Sequence, residues 1–203
     1  MHWPVAQDAS GSTSLEYLDT WAAMELLLEQ GRTRYIGVCN FAPKQIKDLL
    51  KHAAHPPSVH QMELHPYLPQ TEWIEYHERH GIHVTAYSPL AGTNPTYQPG
   101  DLTPLLSNPL LHKIAEKRSC TPAQVALQWG ISRGTSIIPK SQHKGRITEN
   151  FHAVECALKA KDLKAISHVL GSEHHRYINP SKSWKVELYH GLEDSKGNHK
   201  LHS

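Results

Sequence analysis

Tyr35-Ile36-Gly37-Val38-Cys39-Asn40-Phe41-Ala42-Pro43 is the stretch on which the fold turns. Its first four residues form a short apolar run of strand type, Cys39 and Asn40 follow as a polar end, and Pro43 opens Lys44 to Ala53, an amphipathic stretch of helical period. The unit recurs downstream. His60 to Leu64 lies in a strand, and Thr71 to His80 is a helix stopped by Gly81. Ile82 to Tyr87 is a strand followed by helices near Pro109 to Arg118 and Pro122 to Arg133. Ser136-Ile137-Ile138 is a strand followed by helices near Gly145 to Val154 and Lys161 to Leu170. Upstream, Leu15 to Gln30 sets Leu15, Leu18, Ala22, Leu26 and Leu27 at helical spacing ahead of Gly31 as a stop. Strand and helix in alternation, with right-handed crossovers, predict an α/β fold whose parallel sheet is covered on both faces.

A closed barrel of this kind needs eight strands, and the sequence supplies about four parallel strands with flanking helices. The expectation is therefore a partial (βα)8 barrel over residues 1–170, followed by a tail over 171–203 that is rich in His, Lys and Ser and packs late or frays. Half a barrel leaves two unpaired edges and an apolar inner face, which predicts association through those edges. Gly92 to Ser107, with Pro95, Pro99, Pro104 and Gly100, has no period and reads as a disordered or functional loop.

The composition excludes several classes of function. Among 203 residues, Lys+Arg 21 against Asp+Glu 19 leaves a formal charge of +2, which gives no electrostatic case for a nucleic-acid partner. No apolar stretch approaches a membrane span, and Met1-His2-Trp3-Pro4 lacks the pattern of a signal peptide, so a cytoplasmic protein is expected. Cys39, Cys120 and Cys156 are far apart, odd in number and without a CxxC, which predicts reduced thiols and no thiolate metal site. Seventeen histidines include the pairs His77 with His80 and His52 with His55, but neither face offers a further ligand. Solvated surface histidines are expected rather than a metal site.

Polar residues recur where strands end: Cys39-Asn40, Gln61, Tyr87-Ser88 and Lys140-Ser141. Parallel α/β barrels collect their functional groups at strand C-terminal ends, although each of these residues taken singly also reads as a turn or packing residue. The fourth cluster carries more. After Ile138-Pro139-Lys140-Ser141, the residues Arg146, Glu149 and Asn150 share one helical face. Two cations, a hydroxyl and helix-start N–H groups suit a dianionic phosphate, and Glu149 with Asn150 suits an amino-purine edge. The alternative is a helix bearing a solvated Arg–Glu pair.

His2-Trp3-Pro4, Gly37-Val38-Cys39-Asn40-Phe41, Gln61-Met62-Glu63-Leu64-His65-Pro66-Tyr67, Ala86-Tyr87-Ser88-Pro89-Leu90, Thr121 to Leu127 and Ile138-Pro139-Lys140-Ser141 resemble, in order, the signatures of the aldo-keto reductase family. The resemblance covers about residues 1–170 and implies an oxidoreductase that uses NADPH to reduce a small-molecule aldehyde or ketone. It implies that Asn40 and Gln61, beside Cys39, hold the nicotinamide carboxamide. Tyr87 would stack on the nicotinamide ring, and Ser88 to Leu90 would run beside the pyrophosphate. Lys140, Ser141 and Arg146 would hold the 2′-phosphate, and Glu149 with Asn150 the adenine. Cys39 stands where the family usually has Ser, and His60 where it usually has Asn. His2-Trp3-Pro4 resembles the end of the family's fourth strand, so of the catalytic set only His2 has a counterpart, while the tyrosine acid, the lysine and the aspartate have none. The alternative is accordingly a catalytically inactive remnant that binds nucleotide or a partner. The tail from His175-Arg176-Tyr177 to Glu193-Asp194 is most similar to that of fungal members and implies specialised metabolism.

Overall fold

The computed structural model describes residues 1–7, 13–14, 16–92 and 101–192. In chain order its regular elements begin with β1 (Ala6–Gln7) and β2 (Thr13–Ser14), a short antiparallel pair with no counterpart in the sequence reading. There follow α1 (Tyr17–Glu29), β3 (Gly37–Cys39), α2 (Pro43–His52), β4 (Val59–Glu63), α3 (Thr71–Arg79) and β5 (His83–Tyr87). Then come α4 (Pro109–Arg118), α5 (Pro122–Ile131), β6 (Ser136–Ile137), α6 (Lys144–Phe151), α7 (Ala160–Ala165) and α8 (Ser181–Trp184). The main sheet has the order β3-β4-β5-β6, with β3 parallel to β4 and β5 parallel to β6. Four parallel strands with helices in the crossovers are the expected part of a (βα)8 barrel.

The chain divides into two compact units, one of residues 1–62, 71–84 and 179–203 and the other of residues 63–70 and 85–178. In the first unit Ile36, Val38, Phe41, Ile46, Leu49, Ile82 and Val84 are buried. Each fully buried side chain of this kind contributes about 1.5–3 kcal/mol. Pro43 at the start of α2 loses no hydrogen bond, because a first-turn N–H has no intrahelical partner. Gly31 and Gly81 follow α1 and α3 at φ 68°, the left-handed conformation in which glycine carries no steric cost.

The buried face of α1 differs from the expected one. Leu18, Leu26 and Leu27 are 38%, 54% and 45% exposed, and Tyr17 and Trp21 face the core instead. Both aromatics have a polar handle that finds a partner: the Tyr17 hydroxyl donates to Asp48 at 2.9 Å and the Trp21 indole N–H to the His55 carbonyl at 3.1 Å. Leu15, also expected on that face, lies outside the described residues.

The second unit is built round α5, on which Ala123, Val125, Ala126, Leu127, Trp129 and Gly130 are buried. A capping box starts this helix: the Gln124 N–H donates to the Thr121 hydroxyl at 3.2 Å, and the Thr121 N–H donates to the Gln124 side chain at 3.1 Å. After α6 a 3-10 turn, His152–Glu155, buries Ala153. The expectation of three reduced thiols fails here. Cys120 and Cys156 form a disulfide with their Cα atoms 5.8 Å apart. Their 36-residue separation hid a proximity that arises when the turn after α6 packs on α5.

Among the described residues after 170, Arg176, Tyr177, Leu188 and Tyr189 are buried. Glu63, fully buried in the second unit, accepts the N–H groups of Tyr177 at 2.8 Å and Ile178 at 2.9 Å and bonds the His65 ring at 2.8 Å. Burial alone would push its carboxyl up. The bond and charge of His65, the charge of Arg176 and the Tyr177 N–H outweigh that and hold it below the ordinary carboxylate range. Residues 93–100 of the Gly92 to Ser107 loop, and the tail beyond residue 192, lie outside the described residues.

Histidines depart from the surface expectation too, since His60, His65 and His77 are buried. His60 and His77 form a relay in the first unit. The Phe41 N–H donates to His60 Nε2 at 3.1 Å, His60 Nδ1 meets His77 Nε2 at 2.7 Å, and His77 Nδ1 meets the Trp73 carbonyl at 2.6 Å. These bonds assign a proton to Nδ1 of each ring and leave both neutral.

Burial lowers the His77 pKa from 6.5 to about 4. The unfolded chain therefore binds this proton more readily than the folded one, and stability falls as pH drops from about 6.5 to about 4. The contribution is about 3 kcal/mol. Urea unfolding of wild type and His77→Gln should show a steeper acid loss in wild type across that window. Identical slopes would contradict the relay.

Candidate active site

Two groups of strand-end residues are built up separately, one in each unit. In the first, β3 pairs with β4 so that Cys39 lies opposite Gln61, and the Asn40 N–H donates to the Gln61 carbonyl at 3.1 Å. Asn40 then takes a left-handed conformation, φ 61°, which asparagine tolerates better than most residues. Its side chain is buried: Nδ2 reaches the His2 carbonyl at 3.2 Å and Cys39 Sγ at 3.1 Å, while Oδ1 accepts the Tyr189 hydroxyl at 3.1 Å. Burial pushes the Cys39 thiol up to about 12, so it stays protonated and offers Asn40 only a weak acceptor. Gln61 is half-buried.

His2 has an exposed ring, 5.8 Å from that of Trp3. Its backbone is not loose. The Met1 amino group donates to the Gly37 carbonyl at 2.7 Å, and Asn40 takes the His2 carbonyl. Trp3 packs edge-on against Trp184 and Tyr189 at 5.1 and 6.3 Å. Sequence reasoning missed Tyr189 and the His60–His77 relay as supports of this group. Neither lies at a strand end, and no periodicity brings residue 189 beside residue 40.

In the second unit Leu90, Lys140, Ser141, Arg146, Glu149 and Asn150 line one cavity of about 430 Å³. Leu106, His112, Pro122 and Ala123 complete its walls. Lys140 and Ser141 follow β6, and the His143 N–H donates to the Ser141 hydroxyl at 3.1 Å, folding the short link into α6. Tyr87 ends β5 and Ser88 follows it with φ 47°; neither lines this cavity.

The alternative of a solvated Arg146–Glu149 pair is not what forms. The Thr121 hydroxyl donates to the Glu149 carboxylate at 2.5 Å, and the Gln124 amide donates to the Glu149 main-chain carbonyl at 3.2 Å. Glu149 is thereby turned to α5, and among the described residues neither Arg146 nor Lys140 has a carboxylate partner. Two exposed cations and a hydroxyl thus line a cavity to which α6 also brings a carboxylate and an amide, Glu149 and Asn150. This donor set fits a 2′-phosphorylated adenosine: cations for the phosphate, and acceptors for an exocyclic amino group. The role of Thr121 and Gln124 was legible in principle from the Thr-x-x-Gln pattern, which marks a capping box.

Comparison with known proteins agrees with this architecture. The model described as the aldo/keto reductase family matches residues 1–170. An oxidoreductase of Schizosaccharomyces pombe is 42% identical over 183 residues, which are 83% of this chain and 55% of that protein. Aldo-keto reductase family 1 member A1-A of Danio rerio is 39% identical over 194 residues, 89% of this chain and 59% of that protein. The solved aldose reductase of Giardia lamblia superposes with a TM-score of 0.80 at 35% identity, over 92% of this chain and 65% of that one. This chain spans little more than half the length of the curated relatives it matches. From the matching model and the identities, the chain belongs to the aldo/keto reductase family.

Proposed function

We propose that this chain is the nucleotide-binding part of an NADPH-dependent reductase of aldehydes or ketones. The observation that supports it is the pair of cations, Lys140 and Arg146, which among the described residues have no carboxylate partner, in a cavity that also presents Ser141, Glu149 and Asn150. Lys140 and Arg146 take the 2′-phosphate, with Ser141 and the first N–H groups of α6 as neutral donors. Glu149 and Asn150 take the adenine edge, and Ser88 to Leu90 run beside the pyrophosphate. Asn40 and Gln61 hold the carboxamide, and Tyr87 stacks on the ring. The bound cofactor supplies hydride. The exposed His2 ring offers one N–H toward the oxygen of a carbonyl substrate, where negative charge builds as hydride arrives.

Replacement of Arg146 by Ala should weaken NADPH binding about tenfold or more, because a charge-assisted bond to phosphate contributes about 1.5–3 kcal/mol. NADH binding should change less than about threefold. Fluorescence titration of both cofactors checks this, and equal weakening of the two removes the 2′-phosphate role.

Turnover is a separate matter, because the resemblance supplies no counterpart in these residues for the tyrosine acid, the lysine or the aspartate. A preorganised donor at the developing oxyanion commonly contributes about 10² or more in rate. The purified chain should therefore oxidise NADPH slowly with broad aldehyde substrates. Adding a Tyr-, Lys- and Asp-bearing N-terminal half of a family member in trans should raise that rate by docking at β3 and β6, the outer strands of the sheet. Ordinary turnover by the chain alone, abolished in His2→Ala, would show that His2 suffices.

A further inference from the structure

The second unit carries a covalent feature that nucleotide binding does not require. Cys120 immediately precedes Thr121, the cap of α5, and Pro122 and Ala123 of that helix form one wall of the cavity. Cys156 closes the 3-10 turn that continues from α6, whose Arg146, Glu149 and Asn150 line the cavity from the other helix. The disulfide therefore joins the start of one wall to the end of the other across 36 residues.

The side chains of α6 itself are little buried. None of the side chains of α6 is buried, and Ile147 and Phe151 are exposed at 52% and 78%. Among the described residues its ties to α5 include the two bonds at Glu149, the packing of the following turn, where Ala153 and Cys156 are buried, and the disulfide. A helix with so few buried contacts opens locally at a small fraction of the global stability, so a cross-link at its end has a large effect on where it sits.

We propose that the Cys120–Cys156 disulfide is a redox-responsive clamp that holds α6 on α5 and so sets the affinity of the cavity for its nucleotide. The nucleotide part rests on the reading given under Proposed function. The partner in the redox step is a dithiol reductant. One of its thiolates attacks the sulfur of Cys120, the half-buried member of the pair, and the protein S–S bond breaks as Cys156 leaves and takes a proton. The second thiol of the reductant then displaces Cys120, which also takes a proton. Two electrons and two protons pass to the protein, and the reductant departs as its own disulfide. Cys39, the free cysteine among the described residues, is buried and takes no part.

The test uses the full chain, oxidised or treated with dithiothreitol, beside Cys39→Ser and a Cys120→Ser/Cys156→Ser double variant. Amide hydrogen exchange is followed across the chain, and NADPH affinity is measured by fluorescence titration. Reduction should raise exchange in residues 144–151 while the strands stay protected. It should weaken NADPH binding by about fivefold or more. Cys39→Ser should respond as wild type does, and the double variant should match the reduced chain in either condition. Unchanged exchange in α6 overturns the clamp, and so does loss of protection spread evenly over the strands and α4. NADPH binding by neither form, with α6 exchange still following the redox state, overturns the nucleotide reading and upholds the clamp. NADPH binding of equal strength to both forms overturns the coupling between clamp and cavity.

Discussion

The bond from the Thr121 hydroxyl to the Glu149 carboxylate is the contact on which the cavity depends. Thr121 and Gln124 cap α5 between themselves, and the same two side chains reach α6, so one helix start both begins a buried helix and holds an exposed one. The electrostatic consequence matters as much as the mechanical one. With Glu149 committed to Thr121, the positive charge of Arg146 is not neutralised within its own helix, and Lys140 joins it at the end of β6. Two like charges held near one cavity repel one another, and a bound dianion offsets that repulsion by attracting both.

Elsewhere the strand ends are organised by buried polar groups that hydrogen-bond to neighbouring loops. Glu63 collects two backbone N–H groups and a histidine in the second unit, which ties down Tyr177 and Ile178. Asn40 gathers the His2 carbonyl, Cys39 and the Tyr189 hydroxyl in the first, and the histidine relay fixes the next backbone N–H, that of Phe41. A buried polar group left unpaired costs on the order of 1–3 kcal/mol, so the bonds these groups make fix the loops that carry them. The protein thus spends its buried polar residues on placing loops rather than on stabilising the sheet.

This division explains what could be read from the chain alone. Strands and helices followed from period and from Gly and Pro punctuation, and α4 matches its expected bounds, Pro109–Arg118. The cavity residues Lys140, Ser141, Arg146, Glu149 and Asn150 were legible because they lie within eleven residues on one strand end and one helix face. What stayed hidden depends on tertiary packing. The apolar period of α1 pointed to Leu18, Leu26 and Leu27, whereas the polar handles of Tyr17 and Trp21 drew those aromatics inward. The Cys120–Cys156 bond and the contact of Tyr189 with Asn40 join residues far apart in sequence, where no local pattern reaches.

The central claim is that the cavity of the second unit recognises a phosphate on the ribose 2′-oxygen. Isothermal titration of the chain with adenosine 2′,5′-bisphosphate and with adenosine 5′-monophosphate tests it without the nicotinamide half or any turnover. Two charge-assisted contacts predict binding of the bisphosphate tighter by about tenfold or more, with the difference shrinking as salt is added. Equal affinity for the two nucleotides at low salt would contradict the account.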